Sequence, residues 1–176
     1  MHLRRYKQFK DAGVKHLPTT YRPAGIEDGI PVIVMTDYTQ DGVKTVLSKN
    51  TDESGFEMAD VQNLEELFKD MTEDAKRLTM AGYWVPLDAY FFIVPSEGGS
   101  VEHMEFAITD YDKCRKSIDP EDRGDLFKKN MEQASGALQH VLKNHLSDRS
   151  KKTNYIYEIR KWSDRVIAEH YNGPSA

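Results

Sequence analysis

The sequence predicts an α+β protein built around a four-stranded antiparallel sheet. Two stretches, 32–47 and 89–109, each contain two short apolar runs separated by a turn signal, which is typical of a β-hairpin. A long amphipathic helical pattern follows each stretch, at about 60–81 and about 119–146. Two such hairpin–helix units predict one sheet with the helices mainly on one face, plus a C-terminal helix and an N-terminal arm.

The first 30 residues predict a basic arm ahead of a single α+β domain at 31–173. Residues 3–12 have a short amphipathic pattern that stops at Gly13. Residues 14–30 are rich in proline and glycine, so they predict an extended connection.

The two predicted hairpins differ in their turns. In the first, the runs VIVMT and VKTVL flank QDG, where Asp41-Gly42 is the turn signal. In the second, AYFFIV and VEHMEFAIT flank PSEGGS. A phosphate-binding loop requires a glycine run that leads into a helix N-terminus, so this glycine-rich segment predicts a turn instead.

Three helices carry apolar residues at intervals of three and four. Asp60 is the predicted cap of the first helix, and Gly82 is its predicted C-terminal glycine. The second helix is predicted to start at Asp119-Pro120, and the last one covers about 153–171. The predicted core stripe of the first helix consists of Val61, Leu64, Leu67, Phe68, Met71, Ala75 and Leu78.

Thr-Asp-Tyr occurs twice, at 36–38 and at 109–111, each time after a predicted strand. One copy follows the first strand of its hairpin and the other follows the second strand, so internal duplication does not explain them. Chance repetition of a tripeptide is the leading interpretation. If the strand order brings the copies together, Asp37 and Asp110 are candidate oxygen ligands for a hard cation. The leading prediction includes no metal and no cofactor.

Composition and charge narrow the classes of protein. The chain has 176 residues, 39% of them hydrophobic and 30% charged, with a net charge of −5, which disfavours a basic nucleic-acid binder. No apolar run approaches the roughly 20 residues of a membrane span. The basic N-terminus lacks the apolar stretch of a signal peptide. Since Cys114 is the only cysteine, we expect no intrachain disulfide and a cytoplasmic protein.

An acidic block at residues 52–74 is the most informative charge feature. It contains nine acidic residues against one lysine, Lys69. Helical spacing predicts that its C-terminal members lie together, away from the apolar stripe, where they attract a basic partner. The alternative is a solvated helix face that keeps the protein soluble. The predicted partner-binding residues are Asp52, Glu53, Glu57, Glu66, Asp70, Glu73 and Asp74.

His103 and Glu105 are the candidate acid–base pair. They are two residues apart on a predicted strand, so they share a face, while Phe106 faces the core. A histidine beside a carboxylate suits general acid–base chemistry, but no third catalytic group is identified. An ordinary polar sheet face is the simpler interpretation.

Cys114 lies among basic residues, which favour its thiolate form. A cysteine nucleophile also requires a base and an orienting group, and no local motif supplies them. The thiol is therefore predicted to be dispensable.

The sequence favours a small acidic binding module, possibly of inhibitor or immunity type, that presents the acidic block to a basic protein surface. The alternative is a small enzyme with an acid–base site on the open sheet face. A less favoured alternative is nucleic-acid binding through the N-terminal arm with Tyr6 and Phe9. The oligomeric state is open and includes a homodimer. A deep pocket over the sheet favours the enzyme, and a convex acidic face favours the binder.

Overall fold

The computed structural model describes residues 2–28, 30–38, 44–49, 55–95, 101–117 and 122–171. The helices within these ranges are α1 (His2–Asp11), α2 (Leu64–Met80), α3 (Arg123–His145) and α4 (Arg149–Tyr171). The strands are β1 (Tyr21–Glu27), β2 (Ile30–Met35), β3 (Lys44–Leu47), β4 (Asp60–Val61), β5 (Tyr83–Trp84), β6 (Tyr90–Pro95), β7 (Val101–Glu102), β8 (Glu105–Ile108) and β9 (Arg115–Lys116). The protein is therefore of mixed α+β class, as the sequence predicts.

The described strands form several small sheets rather than the predicted four-stranded one. β3, β6 and β8 make a three-stranded antiparallel sheet in the order β3-β6-β8. β1 and β2 form a separate antiparallel hairpin, β4 pairs with β7 in parallel, and β5 pairs with β9 in antiparallel orientation. The predicted pairing of β6 with β8 is confirmed. The predicted pairing of β2 with β3 is not found, since β2 pairs with β1 and β3 pairs with β6.

The difference arises because residues 21–27, predicted as part of an extended connection, form β1. Tyr21 pairs with Met35, and the register shifts between Pro23 and Gly25, where glycine adopts a φ of +135°. One edge of β2 is thereby taken by its preceding neighbour in the chain. The predicted domain boundary between residues 30 and 31 falls inside β2. The predicted hairpin turns, at 41–42 and 96–100, lie outside the described residues.

The start of α2 corrects the predicted cap. The helix begins after Asn63, because Asp60 belongs to β4 and its carboxylate is used elsewhere. That carboxylate accepts a hydrogen bond of 2.5 Å from the Tyr155 hydroxyl and pairs with Lys151. The predicted end is confirmed, since Gly82 follows the helix with a φ of +77°.

Side-chain caps also define the starts of α3 and α4. Asp122 caps α3 by accepting a hydrogen bond of 3.1 Å from the Asp125 backbone N–H, while the predicted start at 119–120 lies outside the described residues. Asp148 accepts hydrogen bonds of 2.8 and 3.0 Å from the backbone N–H groups of Ser150 and Lys151. As a result α4 begins at Arg149 rather than near residue 153.

The buried core joins one face of the three-stranded sheet to α2 and α3. Leu47, Phe92 and Phe106 are directly opposite one another on neighbouring strands and are buried on this face. α2 packs on α3, α3 packs on α4, and α1 contributes the fully buried Phe9. The other face of the sheet carries residues such as Phe91, which point towards the β1–β2 hairpin and line the cavity described next.

Candidate binding cavity

A cavity of about 470 Å³ lies between the β1–β2 hairpin and the three-stranded sheet. Its volume is within the range of roughly 300–1,000 Å³ that is typical of ligand sites. The hairpin, the segments that follow β2 and β8, and the sheet all contribute to its walls. The lining residues are Tyr21, Ile33, Met35, Asp37, Tyr38, Val46, Phe91, Thr109 and Asp110. The charged residues of this lining are both aspartates.

The two Thr-Asp-Tyr segments meet at this cavity. Asp37 lies just after β2 and Asp110 just after β8, and both carboxylates line the same space. Among the described residues, no group of three or more His, Cys, Asp or Glu side chains could hold a metal ion. Ca²⁺ usually takes about six to eight oxygen ligands. A metal at this pair stays a prediction.

Aromatic and aliphatic side chains make up most of the walls. Ile33 and Met35 are two residues apart on β2, so they project from the same side of the strand. Val46 and Phe91 lie on the sheet face opposite to the core, because their neighbours Leu47 and Phe92 are fully buried. Ile33, Val46 and Phe91 are half-buried, whereas Met35 is 43% exposed. The half-buried apolar side chains reduce the screening of a charge bound beside them.

The ring of Tyr21 is held from behind by other aromatic residues. It stacks on Tyr6 with a centroid distance of 4.9 Å and makes an edge contact with Tyr111 at 4.9 Å. The Tyr6 hydroxyl in turn donates a hydrogen bond of 2.9 Å to the Pro18 carbonyl. The Tyr111 hydroxyl is buried and has no hydrogen-bond partner within the part of the chain that the structure describes. This packing fixes the orientation of one cavity wall.

Burial and nearby carboxylates raise the pKa values of two tyrosines that line the cavity. Burial, followed by the charge of Glu105 and by Tyr6, raises the pKa of Tyr38 to about 12. Burial, followed by Asp112 and then Asp110, raises the pKa of Tyr21. In both cases the charged neighbours disfavour a further negative charge. Glu105 is therefore the one member of the predicted acid–base pair that acts on a residue of the cavity.

Asp110 also has a cationic neighbour outside the lining. Lys113 contacts the Oδ2 atom of Asp110 at 2.8 Å, and the lysine side chain is 43% exposed. Solvent screens an exposed pair of this kind, so it contributes little to stability.

Sequence reasoning did not identify the aromatic lining residues. Tyr21, Tyr38 and Phe91 come from β1, from the segment after β2 and from β6, so no local spacing connects them. A partial signal was present, since a tyrosine follows the aspartate in each Thr-Asp-Tyr segment. The two tyrosines have different positions, because Tyr38 lines the cavity and Tyr111 lies in the core.

Only part of the predicted acidic block forms an exposed surface. Glu57 and Glu66 are exposed, whereas the side chains of Asp70 and Glu73 are 48% and 44% exposed. Lys76 pairs with Glu73 at 2.8 Å and offsets its charge. The block's remaining negative surface is therefore smaller than its composition indicates. Two predicted members lie outside the described residues: Asp52 and Glu53.

The placement of Asp74 corrects the predicted acidic face. Its side chain is completely buried and accepts hydrogen bonds of 3.0 Å from the backbone N–H groups of both Lys15 and His16. His16 Nδ1 and Arg77 contact the same carboxylate at 2.8 Å each. Burial raises the pKa of Asp74, but these hydrogen bonds outweigh burial and hold the pKa below its ordinary value of 3.8. Asp74 is thus a structural anchor rather than a surface charge.

His103 lies apart from the cavity. It is exposed on the segment between β7 and β8, next to the N-terminal end of α2. Its Nε2 atom is 3.3 Å from the side-chain amide nitrogen of Asn63. It lines a shallow depression with Gln62, Asn63, Glu65, Glu66 and Lys69. Glu105 is exposed on β8 and is not among the residues that line this depression. The predicted pairing of His103 with Glu105 as one catalytic site stays a prediction.

We expect the Cys114 thiol of the native protein to be unreactive. The residue is 2% exposed, and burial raises its pKa to about 12, which the charge of Arg5 offsets only in part. Iodoacetamide at about pH 8 should therefore label unfolded protein rapidly and native protein hardly at all. Cys114→Ser should retain the native circular dichroism spectrum. Rapid labelling of the native protein would show an accessible nucleophile that the structure does not predict.

The fold and the cavity together define a small α+β protein with an acidic, aromatic-walled cavity beside its main sheet. No protein-family model matches the chain, and no curated protein or solved structure shows a significant similarity to it. Within the described residues, no helix combines the length and the apolar character that crossing a membrane requires.

Proposed function

We propose that this chain is a small protein-binding module that recognises a basic segment of a partner protein through the cavity. The observation that carries the proposal is the composition of the lining, in which Asp37 and Asp110 stand among apolar and aromatic walls. A cationic side chain with an apolar stem complements such a lining in both charge and hydrophobicity.

The expected affinity comes from two sources. A hydrogen bond to a charged group contributes about 1.5–3 kcal/mol, and contact of a cation with an aromatic face adds about 0.5–2 kcal/mol. Both contributions increase where neighbouring apolar side chains exclude water. The cavity lining thus offers a single basic side chain both kinds of interaction.

The exposed acids of α2 have a supporting role in this proposal. Glu65 and Glu66 are exposed and Asp70 is half-exposed, so together they attract a basic partner over a distance. Long-range attraction of this kind mainly raises the association rate, and salt weakens it. The acidic surface therefore steers the partner, and the cavity holds it.

A small enzyme remains the second candidate, because the cavity lies over the sheet face that is opposite to the core. Its acid–base groups in that case are Asp37 and Asp110 rather than His103, which lies elsewhere. A pair of carboxylates in different surroundings suits acid–base chemistry. The binding proposal is preferred because the predominantly apolar lining supplies affinity for a cationic side chain without requiring further reactive groups.

Neutralising both cavity carboxylates is expected to weaken binding of basic peptides. We expect Asp37→Asn/Asp110→Asn to bind a short fluorescent peptide rich in arginine and lysine about tenfold more weakly or worse, since about 1.4 kcal/mol corresponds to tenfold. Fluorescence anisotropy at low salt measures this, and thermal unfolding verifies the fold. Glu65→Gln/Glu66→Gln makes the same change in net charge on α2 and should alter the equilibrium affinity much less.

Two results would contradict this proposal. An acidic peptide of equal length that binds as tightly as the basic one would show that charge complementarity is not involved. Equal losses in the cavity variant and in the α2 variant would show that net charge alone, and not the cavity, controls binding.

A further inference from the structure

We infer that the cationic group which fits the cavity is the guanidinium of an arginine side chain in the partner, rather than a lysine ammonium or a methylated ammonium. This inference rests on the proposed binding of a basic segment. It goes further by assigning the chemical class of the side chain that enters between Asp37, Asp110 and the aromatic walls.

Three aromatic rings line the cavity: Tyr21, Tyr38 and Phe91. A guanidinium group is planar and delocalised, so it stacks on aromatic faces as well as attracting their π electrons. The ring of Tyr21 is already fixed by Tyr6 and Tyr111, at centroid distances of 4.9 Å each. A wall held in one orientation loses little conformational entropy when a planar group stacks against it.

The two carboxylates favour a group with several donors. Guanidinium presents five N–H donors in a rigid fork, whereas an ammonium is a single compact point charge. Lys113 contacts the Oδ2 atom of Asp110 at 2.8 Å, and a carboxylate has acceptor sites on both oxygens. A guanidinium can therefore donate to Asp110 while Lys113 keeps its contact, and its remaining donors lie in the cavity that Asp37 also lines.

The aliphatic part of the lining favours the weakly hydrated cation. Ile33, Met35 and Val46 line the cavity, so a bound side chain exchanges water for apolar surface along its stem. Guanidinium is less strongly hydrated than ammonium, and it consequently loses less when it leaves water. A fully methylated ammonium is also weakly hydrated, but it has no N–H donor for the two carboxylates.

The test compares four peptides that differ at a single position: arginine, lysine, trimethyl-lysine or citrulline. We expect the arginine peptide to bind tightest, the lysine and trimethyl-lysine peptides about fivefold more weakly, and the citrulline peptide, which is neutral, about tenfold more weakly or worse. Fluorescence anisotropy at low salt with the wild-type 176-residue chain provides the dissociation constants.

Two variants test whether the preference for arginine over lysine arises in the cavity. Phe91→Leu removes an aromatic face but retains an apolar wall, so the ratio of arginine to lysine affinity should fall towards one. Tyr38→Leu provides a second test on a separate segment in case Phe91→Leu unfolds, which thermal unfolding would reveal. Tyr157→Leu replaces an exposed aromatic residue on α4, 63% exposed, and should leave the ratio unchanged.

The outcomes separate this inference from the proposal on which it rests. Equal binding of the arginine and lysine peptides, or tighter binding of the trimethyl-lysine peptide, would overturn the arginine assignment. The proposal that the partner is basic would be unaffected. Absence of binding by all four peptides would overturn the proposed function and the arginine assignment together. An arginine preference that persists undiminished in both cavity variants would show that the preference arises outside this cavity.

Discussion

Asp74→Ala is expected to lower the free energy of unfolding by about 3–5 kcal/mol at pH 7, the usual cost of removing one partner of a buried ion pair. The Asp74 carboxylate is fully buried on α2, and it connects the helix to residues 15–16 through two backbone N–H groups. Its loss also leaves the charge of Arg77, 2.8 Å away, without its buried counterion. Urea-induced unfolding measured by circular dichroism determines the change.

The matched control is Asp70→Ala, one turn earlier on the same helix. Asp70 is 48% exposed, and the His16 Nε2 atom lies 3.7 Å from its carboxylate, so its removal should cost no more than about 1 kcal/mol. Equal losses for the two variants would contradict the view that Asp74 is a structural anchor.

The stability that Asp74 contributes should depend on pH in a defined direction. Since hydrogen bonds hold its folded-state pKa below the ordinary value of 3.8, folding favours the ionised form. The contribution is fully present above pH 3.8 and is lost as the pH falls through the lower folded-state value. The stability difference between wild type and Asp74→Asn should therefore narrow below about pH 4, whereas a constant difference would assign the effect to packing alone.

Asp74 also illustrates why charge patterns overestimate exposed surfaces. It lies in a polar stretch of the helix beside Glu73, Lys76 and Arg77, so the local pattern predicts a solvated position. Its partners are Lys15 and His16, 59 and 58 residues away, and no local pattern indicates that contact. Apolar periodicity is more reliable because every position of a stripe packs against the core. All seven predicted stripe residues are buried, but Val61 lies in β4 rather than in the helix. The six that lie in α2 are Leu64, Leu67, Phe68, Met71, Ala75 and Leu78.

Strand pairing was harder to predict than strand position. The β-branched runs at β2 and β3 indicate extended structure, but β-branched residues fit a sheet next to any partner strand. The nearer partner of β2 lies before it, in a segment whose Pro23 and Gly25 argue against a strand. The irregular register at these two residues accommodates both within β1.

The same dependence on strand pairing governs the cavity. Asp37 and Asp110 are identifiable as strand-end carboxylates from the sequence, and their meeting depends on where the β1–β2 hairpin lies relative to β8. The walls come from separate elements with no common spacing. The two aspartates could therefore be predicted from the sequence, but the cavity that they line could not.

Asn130→Ala is expected to lower the free energy of unfolding by about 3 kcal/mol or more, because two buried backbone groups lose their partners at about 1–3 kcal/mol each. Asn130 is fully buried on α3. Its Oδ1 atom accepts a hydrogen bond of 3.0 Å from the Val85 N–H, and its Nδ2 group donates to the Tyr83 carbonyl at 2.8 Å and to the Thr79 hydroxyl at 3.0 Å. The side chain thus fixes the end of α2 and the following segment to α3.

The control for this variant is Gln133→Ala, one turn further along α3. Gln133 accepts a hydrogen bond of 2.8 Å from the Leu87 N–H, but it is only half-buried, so water can replace it and the loss should be about 0.5–1.5 kcal/mol. Urea-induced unfolding gives the two losses, and amide hydrogen exchange gives the location. Exchange should accelerate at Val85 in Asn130→Ala and at Leu87 in Gln133→Ala. Unchanged protection of Val85 in Asn130→Ala would show that this amide is held by other contacts.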